Sequence, residues 1–233
     1  MPDTVLAAAK LTVSLRVTGV RDDGYHLLDA EMVTIDLADT LTFSEGDALE
    51  IVGADVPADA DNLVARALVV ARRTAHVRVD KRIPPGAGLG GGSADAAAVL
   101  RWAGVDDPVA AAGLGADVPF CVRGGRARVT GVGEVVEPLP FEERTFTLVL
   151  PPFGCSTIDV YRAWDELGGP HGPGRNDLET AALVVEPRLA VWRDALAAAT
   201  GREPNLAGSG STWFVEGAYP GDGRIVVHTT PQN

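Results

Sequence analysis

The stretch PPGAGLGGGSADAAAVL, Pro84 to Leu100, places five glycines within seven residues and then changes to alanine, serine and aspartate. No other segment restricts the fold and use of the chain so closely. Glycines ahead of a helix-forming run leave backbone N–H groups bare, and a helix N-terminus of that kind is suited to holding phosphate. Ser93 is the expected N-cap, Asp95 adds negative charge to the first turn, and AAAVLRWA is strong helix-forming sequence with a buried face. Gly104 is expected to end that helix. Gly86, Gly88 and Gly91 satisfy G-x-G-x-x-G, a pattern shared with dinucleotide-binding turns. The Pro-Pro entry and mid-chain position argue against such a turn, and without a Gly-Lys-Ser/Thr ending this is no Walker A loop. A hinge or tight-packing turn is the plainer alternative, but it accounts poorly for Ser93 and Asp95.

Around this loop the sequence alternates between sheet and helix signals. LTVSLRV (Leu11 to Val17), MVTIDL (Met32 to Leu37), TLTF (Thr40 to Phe43) and LEIVG (Leu49 to Gly53) read as antiparallel strands separated by Gly/Asp turns. Asp61 to Arg73 carries apolar residues at helical intervals, and His76 to Ile83 returns to period two. VPFCV, Arg126 to Leu139 and Phe146 to Pro152 read as strands. Segments 138–144 form the expected domain junction, giving lobes 1–144 and 145–233. Beyond it, STIDVYRAWDEL and NDLETAALVVEPRLAVWRDALAAAT have helical periodicity with a loop at Gly168 to Gly174 between them, and STWFVEG and RIVVHTT return to strands. The fold class is therefore α+β in two lobes.

Composition narrows the partners. A chain of 233 residues, 46% hydrophobic and 22% charged, can bury a substantial core. Its net charge of −12 repels nucleic acid and anionic membranes, so phosphate must meet a local site. Cys121 and Cys155 are too few and too far apart for a disulfide framework or a zinc site. With no signal-like apolar run in MPDTVLAAAK and no stretch of membrane-span length, a cytoplasmic protein is expected.

IPPGAGLGGGSADAAAVL resembles the phosphate-binding motif of the GHMP kinases, and within them the 4-diphosphocytidyl-2-C-methyl-D-erythritol kinases of non-mevalonate isoprenoid precursor synthesis. Four more segments match that branch in order: AKLTVSLRVTGVRDDGYHLL from Ala9, DNLVARA from Asp61, GADVPFCVRGGRARVTGVGE from Gly115 and NLAGSGSTWF from Asn205. NDLE, Asn176 to Glu179, is a weaker sixth. Together they span nearly the whole chain. The resemblance implies a ribosomal-protein-S5-like N-terminal lobe, an α/β-plait-like C-terminal lobe, and phosphoryl transfer from ATP, with Mg²⁺, to a hydroxyl of a cytidine-diphosphate-linked substrate.

Carried onto this chain, the resemblance implies that Pro85, Gly86, Ala87, Gly88, Leu89, Gly90, Gly91, Gly92 and Ser93 bind ATP. Lys10, the only charge in AAAKLTVSL, would support the phosphoryl acceptor, although a lone lysine at a strand start is ordinarily a solvated one. Asp117, by itself an ordinary turn aspartate, would be the general base, paired with Lys10. Tyr25 and His26 offer a flat face and a donor/acceptor edge for cytosine, with Thr157 and Tyr161 at matching positions of the second lobe. Their plainer reading is packing and an amphipathic helix core. Gly208, Ser209 and Gly210 would close over the phosphates, and Thr12 and Asp95 complete the substrate side. Mg²⁺ would be held mainly by phosphates, water and Ser93, with Asp117 and Asp95 as the candidate carboxylates.

Several positions depart from the branch. Thr12 stands where Asn is usual and Ala94 where a second Ser is usual, and the chain is short between Gly104 and Gly115 and after Phe214. A missing C-terminal helix there would expose sheet, which leads to the expectation of a homodimer or compensating packing. A GHMP kinase for another small alcohol and a catalytically weak nucleotide sensor remain as alternatives; DGYH disfavours the first, and retention of Lys10 and Asp117 the second.

Overall fold

The structure, a computed structural model, describes residues 2–169, 171–172 and 174–231. Strands β1 (Asp3–Val20) and β2 (His26–Ser44) form a long antiparallel ribbon. The two short strands expected within 32–43 are one, because Ala38 and Asp39 continue the ladder opposite Ala8 and Ala7. β3 (Ala48–Val52), α1 (Leu63–Ala71) and β4 (His76–Asp80) follow. β3 and β4 pair parallel, not antiparallel as the strand spacing suggested, since α1 carries the chain back to the starting end of the sheet. After the glycine loop come α2 (Gly91–Ala103), α3 (Pro108–Leu114), α4 (Val118–Arg123), β5 (Arg126–Gly131) and β6 (Val135–Pro138). The first sheet runs β3-β4-β2-β5-β6, with β1 also paired to β2.

β7 (Thr145–Val149), α5 (Thr157–Glu166), α6 (Glu179–Val185), α7 (Leu189–Thr200), β8 (Asn205–Leu206), β9 (Trp213–Glu216) and β10 (Arg224–His228) make the second unit. Its four strands are antiparallel in the order β10-β7-β9-β8. Ala9, Leu11 and Val13 of β1 share a buried cluster with Phe146, Leu148, Phe214 and Val227 of this sheet. Strand alternation therefore turns Lys10 and Thr12 to the opposite face of β1.

Four expectations change. VPFCV is the helix α4: Pro119 fits a first helical turn but would delete a ladder donor in a central strand, and Cys121 N–H donates to the Asp117 carbonyl at 3.0 Å. α2 begins at Gly91 with Gly90 as its cap residue, so Ser93 is not the cap and Asp95 lies beyond the first turn. Ala94 to Leu100 are buried without a break, so α2 is enclosed on all sides. The last helical segment is broken by Pro187 into α6 and α7. Finally, Phe146, Leu148, Trp213, Phe214 and Val215 are all buried, so the middle of the second sheet is covered by compensating packing, the alternative to a homodimer, while Ile225 of β10 stays exposed.

Candidate active site

β1, the glycine loop, the N-termini of α2 and α4, the start of β2, α5 and the 207–210 loop surround one cleft of about 1530 Å³. At its floor Lys10 is 5% exposed, which replaces the solvated-lysine alternative with a buried cation. Its Nζ donates to Thr12 Oγ1 at 3.0 Å and lies 3.4 Å from Asp117 Oδ2. Asp117 makes no capping bond at the start of α4, so its carboxylate is left to Lys10, and about a third of that side chain is open to the cleft. Thr12 is buried and holds Lys10 with its hydroxyl, a short-range role that its side chain can fill.

The glycine loop is built for close approach on two sides. Gly88 has φ +75°, and a Cβ there would meet the Ala207 and Gly210 carbonyl oxygens at 2.2 and 2.7 Å. Gly90, at φ +67°, admits the Lys10 side chain, whose Cγ would lie 2.8 Å from a Cβ. Ala87 and Leu89 between them are buried and anchor the loop: Lys10 N–H donates to the Leu89 carbonyl and Thr212 N–H to that of Ala87. Pro85, Gly86, Ala87, Gly88, Gly90, Gly91, Gly92 and Ser93 line the cleft; Leu89 does not. Tight packing, the plainer reading of the loop, is thus true of its first half, while exposed Gly92 at the helix start leaves an open approach to the backbone.

At the other end, Tyr25, His26, Thr157 and Tyr161 line the cleft together with Gly208 and Ser209. Gly210 lies behind the lining against Leu206 and Cys155. Thr157 Oγ1 and Ser209 Oγ share a hydrogen bond of 2.9 Å that ties α5 to the small-residue loop. The His26 and Tyr161 rings are 4.6 Å apart. Burial, with the Asp117 charge adding to it, raises the Tyr161 phenol above its ordinary range, so it stays a neutral hydroxyl. Tyr25 is 62% exposed at the cleft mouth, with the Arg21 guanidinium over its ring at 6.0 Å.

Asp95 is buried under the loop rather than aimed at solvent. Its Oδ2 accepts from Lys81 Nζ at 2.6 Å, Lys81 also pairs with buried Asp39, and Asp39 Oδ1 accepts from the N–H groups of Arg82 and Ile83. Burial outweighs the pull of Lys81, and the second carboxylate adds to it, so the Asp95 carboxyl is pushed up to about 7. Asp95 Oδ1 has no hydrogen-bond partner among the described residues.

Three residues of the site were not singled out beforehand. Lys81 and Asp39 had only the neighbouring loop to draw notice. Asn176, within the weakly matching NDLE, is buried and donates to the carbonyls of Leu206 and Gly208 at 2.9 and 2.7 Å, fixing the small-residue loop. Next to it, buried Asp177 pairs with Arg16 at 2.6 Å and joins β1 to the second unit; backbone and side-chain donors hold its carboxyl below the ordinary range despite burial.

Comparison with known proteins shows the family. The family described as GHMP kinases N terminal domain matches residues 62–105. The 4-diphosphocytidyl-2-C-methyl-D-erythritol kinase of Paracoccus denitrificans (strain Pd 1222) is 40% identical, over 89% of this chain and 84% of its own. The enzyme of the same name from Cereibacter sphaeroides (strain ATCC 17029 / ATH 2.4.9) is 37% identical, over 89% and 87%. A crystal structure of 4-(cytidine 5'-diphospho)-2C-methyl-D-erythritol kinase superposes with a TM-score of 0.77 at 32% identity, covering 97% of this chain and 99% of that one.

Proposed function

The chain belongs to the 4-diphosphocytidyl-2-C-methyl-D-erythritol kinases of the GHMP kinase family, and from that membership we infer an ATP-dependent phosphotransferase acting on a hydroxyl of that substrate. The observation that carries the reading is the pairing of buried Lys10 with Asp117, whose carboxylate is partly open to the cleft, with the glycine loop at one side and Tyr25, His26 and Tyr161 at the other.

In the proposed reaction, Asp117 takes the proton of the acceptor hydroxyl. The oxygen attacks the γ-phosphorus, a P–O bond forms, and the bond to the β,γ-bridging oxygen breaks to release ADP. Lys10 stabilises the negative charge that builds on the acceptor and on the transferring group. Thr12 keeps the ammonium in place. Backbone N–H groups of the loop and of the first turn of α2 hold the phosphates, which suits a protein whose net charge would otherwise repel them. Tyr25, His26 and Tyr161 take the cytosine, and Thr157, Gly208 and Ser209 face the diphosphate.

Mg²⁺ is proposed as the companion of ATP, where it neutralises phosphate oxygens. It would keep water and phosphate ligands, with the Ser93 hydroxyl and the Asp117 carboxylate among the cleft oxygens that could hold it. Asp95 fits poorly, because Lys81 already neutralises Oδ2. Among the described residues no group of three or more His, Cys, Asp and Glu could hold a metal. We place the lobe boundary between residues 144 and 145, ahead of the first strand of the second sheet. No helix of the described residues is long and apolar enough to cross a membrane; a cytoplasmic enzyme is proposed. An assay coupled to ADP release, run with the cytidine-linked substrate, homoserine and mevalonate derivatives, tests the substrate. Preferred turnover of either of the latter would overturn it.

A further inference from the structure

His26 opens β2, and its imidazole is only 10% exposed. One face of α5 brings two aromatic rings and a carboxylate to it, because Tyr161, Trp164 and Asp165 stand at i, i+3 and i+4. The Tyr161 ring lies at 4.6 Å and tilted by 33°, Trp164 presents its edge at 5.6 Å, and Asp165 Oδ1 lies 2.8 Å from His26 Nε2. A carboxylate can only accept, so this bond requires the proton on Nε2. The neutral ring then carries its lone pair on Nδ1. His26 lines the cleft, and its Nδ1 is engaged by none of the described residues.

We propose that Asp165 is a specificity-determining positioning residue: by holding the Nε2 proton of His26 it makes Nδ1 an acceptor, which suits the exocyclic amine of cytosine and opposes the 4-oxygen of uracil. This rests on the proposed placement of the nucleobase beside Tyr25 and His26. A site built to accept one hydrogen bond rejects an analogue that offers an acceptor in its place, since two lone pairs are then left facing each other. A surface ion pair with no role in recognition would leave that choice untouched.

The test measures kcat/KM for the cytidine-diphosphate-linked substrate and for its uridine-diphosphate analogue, with the full chain and ATP. Asp165→Asn, which can accept or donate, lowers the cytidine-to-uridine ratio about tenfold or less, and Asp165→Lys, which only donates, lowers it further. Asp165→Glu retains it. In Asp165→Asn and Asp165→Lys the loss for the cytidine substrate falls on KM more than on kcat. Nitrogen NMR of the His26 ring shows Nδ1 unprotonated in the wild type and partly protonated in Asp165→Lys. If the Asp165 variants keep the wild-type ratio while His26→Ala loses it, the role of Asp165 is overturned and the base placement stands. If His26→Ala also keeps the ratio, the placement itself fails. A protonated Nδ1 in the neutral wild-type ring would overturn the proposal independently of kinetics.

Discussion

Gly88 lies so close to Ala207 that a Cβ on it would sit 2.2 Å from the Ala207 carbonyl oxygen. The glycine loop before α2 and the small-residue loop before β9 are therefore in close backbone approach along one wall of the cleft. Side chains are excluded from Gly88 by packing and from Gly92 by no comparable contact, since the nearest atom to a Cβ there is Leu63 Cδ1 at 3.5 Å.

The two glycines should consequently fail in different ways. Gly88→Ala adds a clash and a left-handed residue, and should lower stability by about 2–4 kcal/mol. Gly92→Val should fold with a Tm near wild type yet raise KM for ATP by ~10-fold or more, because its branched side chain covers exposed backbone N–H groups. Thermal denaturation and ATP titration of both variants check this; unchanged ATP affinity in folded Gly92→Val would remove the phosphate from that turn.

For the chemistry, Asp117→Asn should cut kcat by ~10²-fold or more with little change in substrate Kd, the scale of a lost general base. Lys10→Ala should lose kcat and also weaken phosphate binding. Since the two groups act on one transferring unit, the double variant should be little worse than the poorer single one. Fully additive losses in steady-state kinetics would show that the 3.4 Å pair is not a functional unit.

Much of this was legible because chemistry-bearing residues sit in contiguous motifs. GAGLGGGS carried a phosphate-binding reading of its own, whereas Lys10 in AAAKLTVSL and Asp117 in GADVPF drew notice through the family resemblance. What stayed hidden depends on contacts distant in sequence. Asp39 reads as a turn residue, yet a continuous β2 buries it against Lys81, 42 positions away. VPFCV has strand composition, but its place beside enclosed α2 makes it a helix. The seven-residue α3 fills the shortened segment between Gly104 and Gly115 with no hydrophobic period long enough to notice. Asp165 has no motif at all; only the fold brings it to His26.

The buried charges under the loop give a pH dependence of stability. The Asp95 carboxyl rises from an ordinary 3.8 to about 7 on folding, so the folded state holds that proton more tightly. Its contribution is complete below about pH 4 and is lost as pH climbs through about 7. Between pH 5 and pH 8 the wild type should therefore lose stability relative to Asp95→Asn, on the order of 2 kcal/mol. Urea unfolding of both proteins at the two pH values gives the difference directly; parallel pH slopes would mean that Lys81 keeps Asp95 ionised throughout.

Asn176 supplies a sharper test of how the second loop is held. Its amide nitrogen donates to the carbonyls of Leu206 and Gly208, while its Oδ1 accepts from Leu178 N–H at 2.9 Å. Asn176→Ala leaves three buried backbone groups without that partner and should destabilise by about 2–4 kcal/mol. Asn176→Asp keeps the Leu178 bond but turns an acceptor toward two carbonyl oxygens, so it should be worse than alanine despite nearly identical shape. The damage should reach the chemistry as well, because a Cβ on Gly208 would lie only 3.5 Å from Lys10 Nζ. Amide exchange at Ala207, Gly210 and Thr212 should quicken in both variants, with a fall in kcat that exceeds any rise in KM for ATP. An Asn176→Asp protein as stable as wild type, with loop amides still protected, would show that the two donated bonds do not hold the loop.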